Sequence, residues 1–439
     1  MGRRRKNKRG YSAAIAVLAT AAIVLAATAI VLVVLLMRSA PDEPDDAHAG
    51  GDPGAGGAPE LSAWLADWDQ DEGLTDAEPL LDALTSVQLF AAYFGPDDEL
   101  YFTDAFPAML TRMNEAAQRQ ESSEQAERGQ SETTGRSAQA ERGRSETTGQ
   151  PAGQDREQAE PAGRSEQQER GQSKSAERSE QQERGQPSTR LDLTVVNDRY
   201  AADGTAVQKD PELLSRLVAS AESRSRHTDA IAEAALSRGF GGVEIDYERV
   251  KDEDWPSMCL FYAELYERLQ AVGLELRVVL EPRAPVERLD LPEGPVYVMM
   301  AYNLYGTHSG PGPKADHAFV AELAERLAHV PGQPYMALAT GGFVWQAGGQ
   351  AAALTEREAA SLAAEAETTP QRDEASGALH FAYTDAEDGQ PRTVWYADGR
   401  TLTGWAETAS RAGVPRIALW RLGGLEPDTL AQLRGLAGP

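Results

Sequence analysis

The chain of 439 residues contains a single cysteine, Cys259. One thiol cannot close an intramolecular disulfide, and it cannot supply a thiolate zinc site or an iron–sulfur cluster. Histidine is almost as scarce, with six residues at positions 48, 227, 308, 317, 329 and 380 and no HExxH-type pair. A histidine-based metal site is therefore not expected, and no cofactor is called for. Positive charge is short as well: 42 Lys and Arg face 69 Asp and Glu, a formal net charge of −27. A nucleic-acid binder presents a basic surface to phosphates, so nucleic acid is not an expected partner. The turns Gly341-Gly342 and Gly423-Gly424 lack a following GK[ST], and read as strand-end turns rather than phosphate loops.

A further absence is regional. Residues 118–190 hold no Val, Ile, Leu, Met, Phe, Trp, Tyr or Cys. Such a stretch cannot bury enough apolar surface to offset the entropy of ordering. It is repetitive: Ala126–Gly135 (AERGQSETTG) recurs as Ala140–Gly149 (AERGRSETTG), and Ser165–Gln172 (SEQQERGQ) recurs as Ser179–Gln186. Solenoid repeats need apolar positions to stack, and these have none. A disordered repeat insertion is expected over 118–190, with a wall-spanning spacer or partner-binding scaffold as a functional alternative.

The opposite extreme lies at the start. Ala13–Met37 is apolar except for Thr20 and Thr28. A spanning helix needs about 20 apolar residues, whereas a secretory core is shorter, about 7–15. The basic cluster Arg3, Arg4, Arg5, Lys6, Lys8 and Arg9 precedes it, and Asp42, Glu43, Asp45 and Asp46 follow. By the positive-inside rule the tail, residues 1–10, stays cytoplasmic. A transmembrane helix over 11–37 then anchors the chain in a lipid bilayer, with everything beyond it outside the cytoplasm. Residues 38–60, rich in Pro, Gly, Asp and Ala, read as a linker. The remaining 61–117 and 191–439 make one domain in two parts, expected to be monomeric.

Eight short apolar runs in these parts read as buried parallel strands: Ser62–Trp68, Ser86–Phe94, Leu191–Asn197, Gly242–Glu248, Leu274–Glu281, Val296–Asn303, Tyr335–Phe343 and Arg416–Leu422. Helical patterns alternate with them over Ala77–Leu84, Ala105–Ala117, Glu212–Arg238, Met258–Val272, Asp316–His329 and Glu356–Glu367. The alternation predicts an α/β fold, a (β/α)8 TIM barrel. A small α+β insertion is expected between strands seven and eight, with Ala378–Tyr383 and Thr393–Tyr396 as an antiparallel addition. The repeat block precedes the third strand, at the end of the barrel opposite the catalytic face.

The fourth strand carries the chemistry. In GVEIDYE, Gly242–Glu248, alternate side chains share a face. Val243, Ile245 and Tyr247 would face the helices, and Glu244, Asp246 and Glu248 the barrel interior. Three inward carboxylates repel one another and resist ionisation, and Arg277 on the next strand is the obvious counter-cation. As acid–base machinery the row makes sense, because crowded carboxylates share protons and one can stay protonated near neutral pH.

Gly241–Glu248 (GGVEIDYE) resembles the DxxDxDxE strand of glycoside hydrolase family 18, the chitinase and N-acetylglucosaminidase family. Gly241 and Glu244 replace its first two Asp residues, while Asp246 and Glu248 are retained. Met300-Ala301-Tyr302-Asn303 is similar to the family's M-x-Y-D, with Asn in the last place, and Ala418–Gly423 (ALWRLG) to its closing strand. Tyr305–Pro313 (YGTHSGPGP) resembles the loop that follows in bacterial spore-cortex-lytic members. The resemblance implies hydrolysis of β-linked N-acetylglucosamine polymers with retention, through the substrate's own acetamido oxygen. It assigns Glu248 as acid and then base. Asp246 would orient the acetamido group, Glu244 would hold Asp246 through a shared proton, Tyr302 would bond the acetamido oxygen, and Trp420 would floor the sugar. Asn303 stands beside the acetamido group, and Gly241 forgoes a structural contact.

Further substrate-contact candidates are Glu281, Asn197 with Asp198, Trp345 and Tyr93, with structural hydrogen bonding the equal alternative for Glu281, Asn197 and Asp198 and core packing for Trp345. Asp373 and Asp398 are placed where they could line the cleft, and Trp395-Tyr396 where they could form the insertion's core. The expected function is a membrane-anchored extracytoplasmic glycosidase acting on a polysaccharide, peptidoglycan ahead of chitin. The competing reading is a non-catalytic glycan-binding barrel, against which retention of Glu248 speaks.

Overall fold

The structure is a computed structural model that describes residues 60–123, 189–201 and 205–437. The basic tail, the span over 11–37 and the repeats lie outside the described residues. Among the described residues no helix is long and apolar enough to cross a membrane.

Eight parallel strands form the centre: β1 (Leu61–Ala66), β2 (Leu84–Phe94), β3 (Arg190–Tyr200), β4 (Gly242–Asp246), β5 (Glu275–Leu280), β6 (Val296–Met300), β7 (Tyr335–Ala339) and β8 (Arg416–Trp420). Each pairs with its sequence neighbours, and β1 also pairs with β8, so the sheet closes on itself. The registers Thr194↔Glu244 and Glu244↔Arg277 place β3, β4 and β5 side chains level with one another. This is the closed (β/α)8 barrel expected from the strand pattern.

The period-two alternation divides the core into two shells. Val243, Ile245 and Tyr247 join the large cluster between strands and helices. The inner cluster contains Trp64, Phe90, Tyr93, Val196, Val279, Met300, Tyr302, Tyr335 and Ala337. The helices differ from expectation where local breakers intervene. The first runs over Gln70–Ala77, followed by a 3-10 turn at Glu78–Leu80, instead of spanning Ala77–Leu84. Pro79 cannot donate within a helix interior, but it fits the first turn of that short segment. The helix expected over Glu212–Arg238 is two, Pro211–Val218 and Ala221–Leu236. Ser220 starts the second through a reciprocal capping box with Ser223. The helix near 105–117 runs from residue 106 through 123.

The predicted seventh strand ends early. β7 stops at Ala339, and Gly341–Gln346 joins a second, antiparallel sheet with Ala351–Leu354, Pro391–Ala397, Leu379–Thr384 and Gln371–Arg372. Two glycines permit the switch. Gly341 has φ +59°, and a Cβ on Gly342 would lie 1.9 Å from the Trp395 carbonyl oxygen. This sheet and the helix Glu356–Glu365 form the insertion between β7 and β8, packed around Phe381, Val394 and Tyr396. Trp395 stacks instead on His380.

Candidate active site

The C-terminal ends of the strands surround a cavity of about 310 Å³. Its wall includes Tyr93 from β2, Val196, Asn197, Asp198 and Tyr200 from β3, and Asp246 from β4. Glu248, Tyr302, Asn303 and Trp420 complete it, with Trp68, Phe90, Gln208 and Lys209. Eight of the candidates named above thus converge on one hollow. A larger cavity of about 820 Å³ is lined by Trp420 together with residues of the insertion such as Leu354, Thr355 and Glu358.

Glu244 sits beneath, fully buried. Its Oε2 accepts from Arg277 Nε at 2.9 Å, and its Oε1 from Thr194 at 3.0 Å and from the Trp64 indole N–H. Burial raises its pKa, and the Arg277 charge opposes the shift. Arg277 is itself buried, with its guanidinium over the Tyr335 ring. The shared proton expected between Glu244 and Asp246 is not what the geometry provides. The longer Glu side chain spends both oxygens on β1, β3 and β5, and Asp246 Oδ1 is buried without a hydrogen-bond partner among the described residues.

Asp246 is held well above the ordinary carboxylate range, first by burial and then by the charges of Glu248 and Glu244. Glu248 is also raised by burial, against the pull of Lys209, whose ammonium donates to Glu248 Oε2. Tyr302 is buried beside these acids and kept un-ionised by burial and their charges. Two neighbouring carboxyls of raised proton affinity, next to a neutral phenol, suit general acid–base chemistry.

Three non-glycine residues at this rim, Lys209, Arg249 and Asn303, have positive φ of 54–61°. Such backbone strain concentrates where function demands a fixed direction. The aromatic floor is continuous: Trp420 packs against Phe90 at 5.0 Å and Trp64 at 5.8 Å, with Trp68 beyond it at 6.5 Å. Trp68 is 56% exposed, an apolar face turned to solvent.

Other candidates are otherwise engaged. Asn197 Nδ2 donates to the Glu248 carbonyl at 2.9 Å, and its Oδ1 accepts the Glu248 N–H at 3.0 Å. Tyr93 gives its hydroxyl to Asp67 at 2.8 Å, leaving its ring to the cavity. Glu281 does not line the cavity; its Oε2 accepts the Arg249 N–H at 2.7 Å. Trp345 is drawn away altogether. It is 2% exposed, and its indole donates to the Ser309 carbonyl, pinning the loop after β6. Asp373 and Asp398 do not line the cleft either, since they are spent on the Ser376 turn and on Arg372 and a helix cap. Gly241 makes room rather than losing a contact: a Cβ there would meet Arg190 Cγ at 2.5 Å. Arg190 pairs with the buried Asp192 at 2.7 Å and with Glu275 at 2.6 Å. Trp68, Phe90, Tyr200, Gln208 and Lys209 escaped the sequence reading. Their one signal is position, just after or late in strands whose C-terminal ends carry the site.

No protein-family model matches the chain. It is 25% identical over 233 residues to the cortical fragment-lytic enzyme of Bacillus subtilis, covering 48% of this chain and 53% of that protein. The chain spans about half the length of the curated relatives it matches first. Among solved structures, the spore cortex-lytic enzyme SleL of Bacillus cereus superposes with a TM-score of 0.60 at 18% identity, covering 87% of this chain and 74% of that one. A chitinase of Chromobacterium violaceum gives 0.59 at 15%, covering 87% and 100%. The barrel fold is shared with these two solved structures.

Proposed function

We propose that this chain is a glycoside hydrolase that cleaves β-linked N-acetylglucosamine-containing polymers, with peptidoglycan ahead of chitin. One observation carries the reading: the buried Asp246 and the half-buried Glu248, both carboxyls of raised pKa, share an aromatic-lined cavity with Tyr302 and Trp420. The sequence likeness to a cortical fragment-lytic enzyme supports it.

In this reading Glu248 protonates the leaving glycosidic oxygen, and the substrate's acetamido oxygen attacks the anomeric carbon. Asp246 as a carboxylate orients the acetamido group and offsets the positive charge it gains. Tyr302 donates its un-ionised hydroxyl to the acetamido oxygen. Trp420 presents its face to the apolar side of the sugar. Glu248, now ionised, takes a proton from the water that opens the cyclic intermediate, so configuration is retained.

Glu248→Gln is expected to keep the fold and lower kcat by at least about 10²-fold, the range of a lost general acid. Digests of purified peptidoglycan and chitin, read by mass spectrometry, check it; wild-type turnover in that variant would refute the assignment. The reading also includes tethering through residues 11–37, with the basic tail cytoplasmic. Membrane fractions should retain the full chain through an alkaline carbonate wash, and deletion of residues 1–37 should release it.

A further inference from the structure

Lys209 is the single cation in the described wall of the catalytic cavity, against Asp198, Asp246 and Glu248. It lies in the turn just after Ala206–Val207, which pairs antiparallel with the end of β3. Asp198 Oδ1 accepts its backbone N–H at 2.8 Å, and its φ is +54°. Its ammonium is thereby aimed at Glu248 Oε2, with which it forms an ion pair. The Lys209 side chain is 35% exposed and that of Glu248 14%, so the pair closes over the acid from the solvent side.

This contact opposes the proposed chemistry. An ammonium bonded to a carboxylate favours the ionised form, yet the general acid must carry a proton. We propose that Lys209 is a positioning residue that holds Glu248 ionised in the free protein and withdraws when a glycan enters, so that the acid is armed only in the complex. This rests on the reading of Glu248 as the acid. The charges that face Glu248 come from every side. Asp246 lies on its own strand, Asp198 at the end of β3 and Glu281 beyond the end of β5. Arg249 follows it in sequence, and Tyr302 lies after β6. Glu244, behind Asp246, is paired with Arg277.

The proton count closes without an outside donor. In the free protein a single proton on the pair rests on Asp246, whose Oδ1 is buried and whose proton affinity the charges of Glu248 and Glu244 raise. When the ammonium leaves, that proton passes to Glu248. Asp246 becomes the carboxylate that the acetamido group requires, and Lys209, released on a partly exposed stem, turns to solvent or to the incoming sugar.

The test combines two readouts on the full chain in detergent. The first is ¹³C NMR of glutamate carboxyls, with Glu248→Gln to assign the signal. The second is the pH dependence of kcat/KM and kcat on chitotetraose and on purified peptidoglycan. Removing the cation in Lys209→Met or Lys209→Gln raises the Glu248 midpoint. The basic limb of kcat/KM, which reports the free enzyme, moves up with it, while the limb of kcat stays in place. Each unit of displacement reads as about tenfold more kcat/KM on the alkaline side. Lys209→Arg keeps the pairing and the wild-type limb. An unmoved Glu248 midpoint in both folded neutral variants overturns the proposal. If the wild type cleaves neither polymer, the glycosidase reading fails on its own, and the NMR titration still decides the role of Lys209.

Discussion

Arg277 and Glu244 illustrate how a buried charge is stabilised residue by residue. Neither is exposed, and their pair closes at 2.9 Å in the barrel floor. Removing one member of such a pair leaves the other desolvated and uncompensated, typically a loss of about 3–5 kcal/mol. Arg277→Met is therefore expected to lower the free energy of unfolding by that order, and the denaturant midpoint with it. The double variant Arg277→Met with Glu244→Leu should recover much of the loss, because no charge remains stranded. Urea unfolding of the two variants beside the wild type checks this; equal destabilisation by the double variant would remove the ion pair from the explanation. The Arg277 charge opposes the burial that raises Glu244, and Glu244 in turn helps push the Asp246 proton affinity up.

At the scale of elements, the site depends on how strand ends are tied together. Glu248 stands two residues beyond the end of β4, where no ladder holds it. The Asn197 amide replaces that ladder, donating to the Glu248 carbonyl and accepting from its N–H. It joins β3 to the segment after β4. Displacement of a reacting group by about 1 Å can cost about 10²-fold in rate. Asn197→Ala should thus lower kcat by roughly that factor with little change in KM, since no sugar contact is lost. Asn197→Asp, which keeps only the acceptor, should fall in between. Steady-state kinetics on peptidoglycan fragments separate these outcomes, and a rise in KM alone would return Asn197 to the substrate-contact role expected from sequence.

For the whole molecule, the joint between insertion and barrel carries a pH signature. Glu356 opens the insertion helix, and its carboxylate accepts from Thr429 Oγ1 at 2.7 Å and Glu426 N–H at 3.1 Å, beyond β8. Burial pushes its pKa up to about 7 from the ordinary 4.5, against those hydrogen bonds. Between these values the folded chain holds a proton that the unfolded chain has lost. This contribution to stability therefore falls as pH rises from 4.5 to about 7, and stays lost above. Glu356→Gln removes the dependence. Its Tm should match the wild type near pH 4.5 and exceed it at pH 8. Thermal melts across that window decide it, and a constant offset at all pH values would exclude the linkage.

Strand periodicity needs only local geometry, so the barrel and the inward row of Glu244, Asp246 and Glu248 were legible in the residues themselves. Alternation sets which face a side chain takes, whatever lies opposite. Tyr302 and Trp420 were legible through their resemblance to known strands. Partnership is different, because it depends on register and closure between segments far apart in the chain. Arg277 was expected from sequence as the counter-cation of the row, and the register of β4 on β5 assigned it to Glu244; only the closed sheet brought Trp64 from β1 to the same carboxylate. Only the hairpin beyond β3 carried Lys209 onto Glu248, across 39 positions of sequence. Trp345 followed the same rule in reverse. Its strand looked continuous with β7, but the turn at Gly341-Gly342 moved it into a second sheet, away from the cavity. The sequence by itself determined which groups face the barrel interior. The tertiary structure decided which of them are neutralised, and so which proton is free to do chemistry.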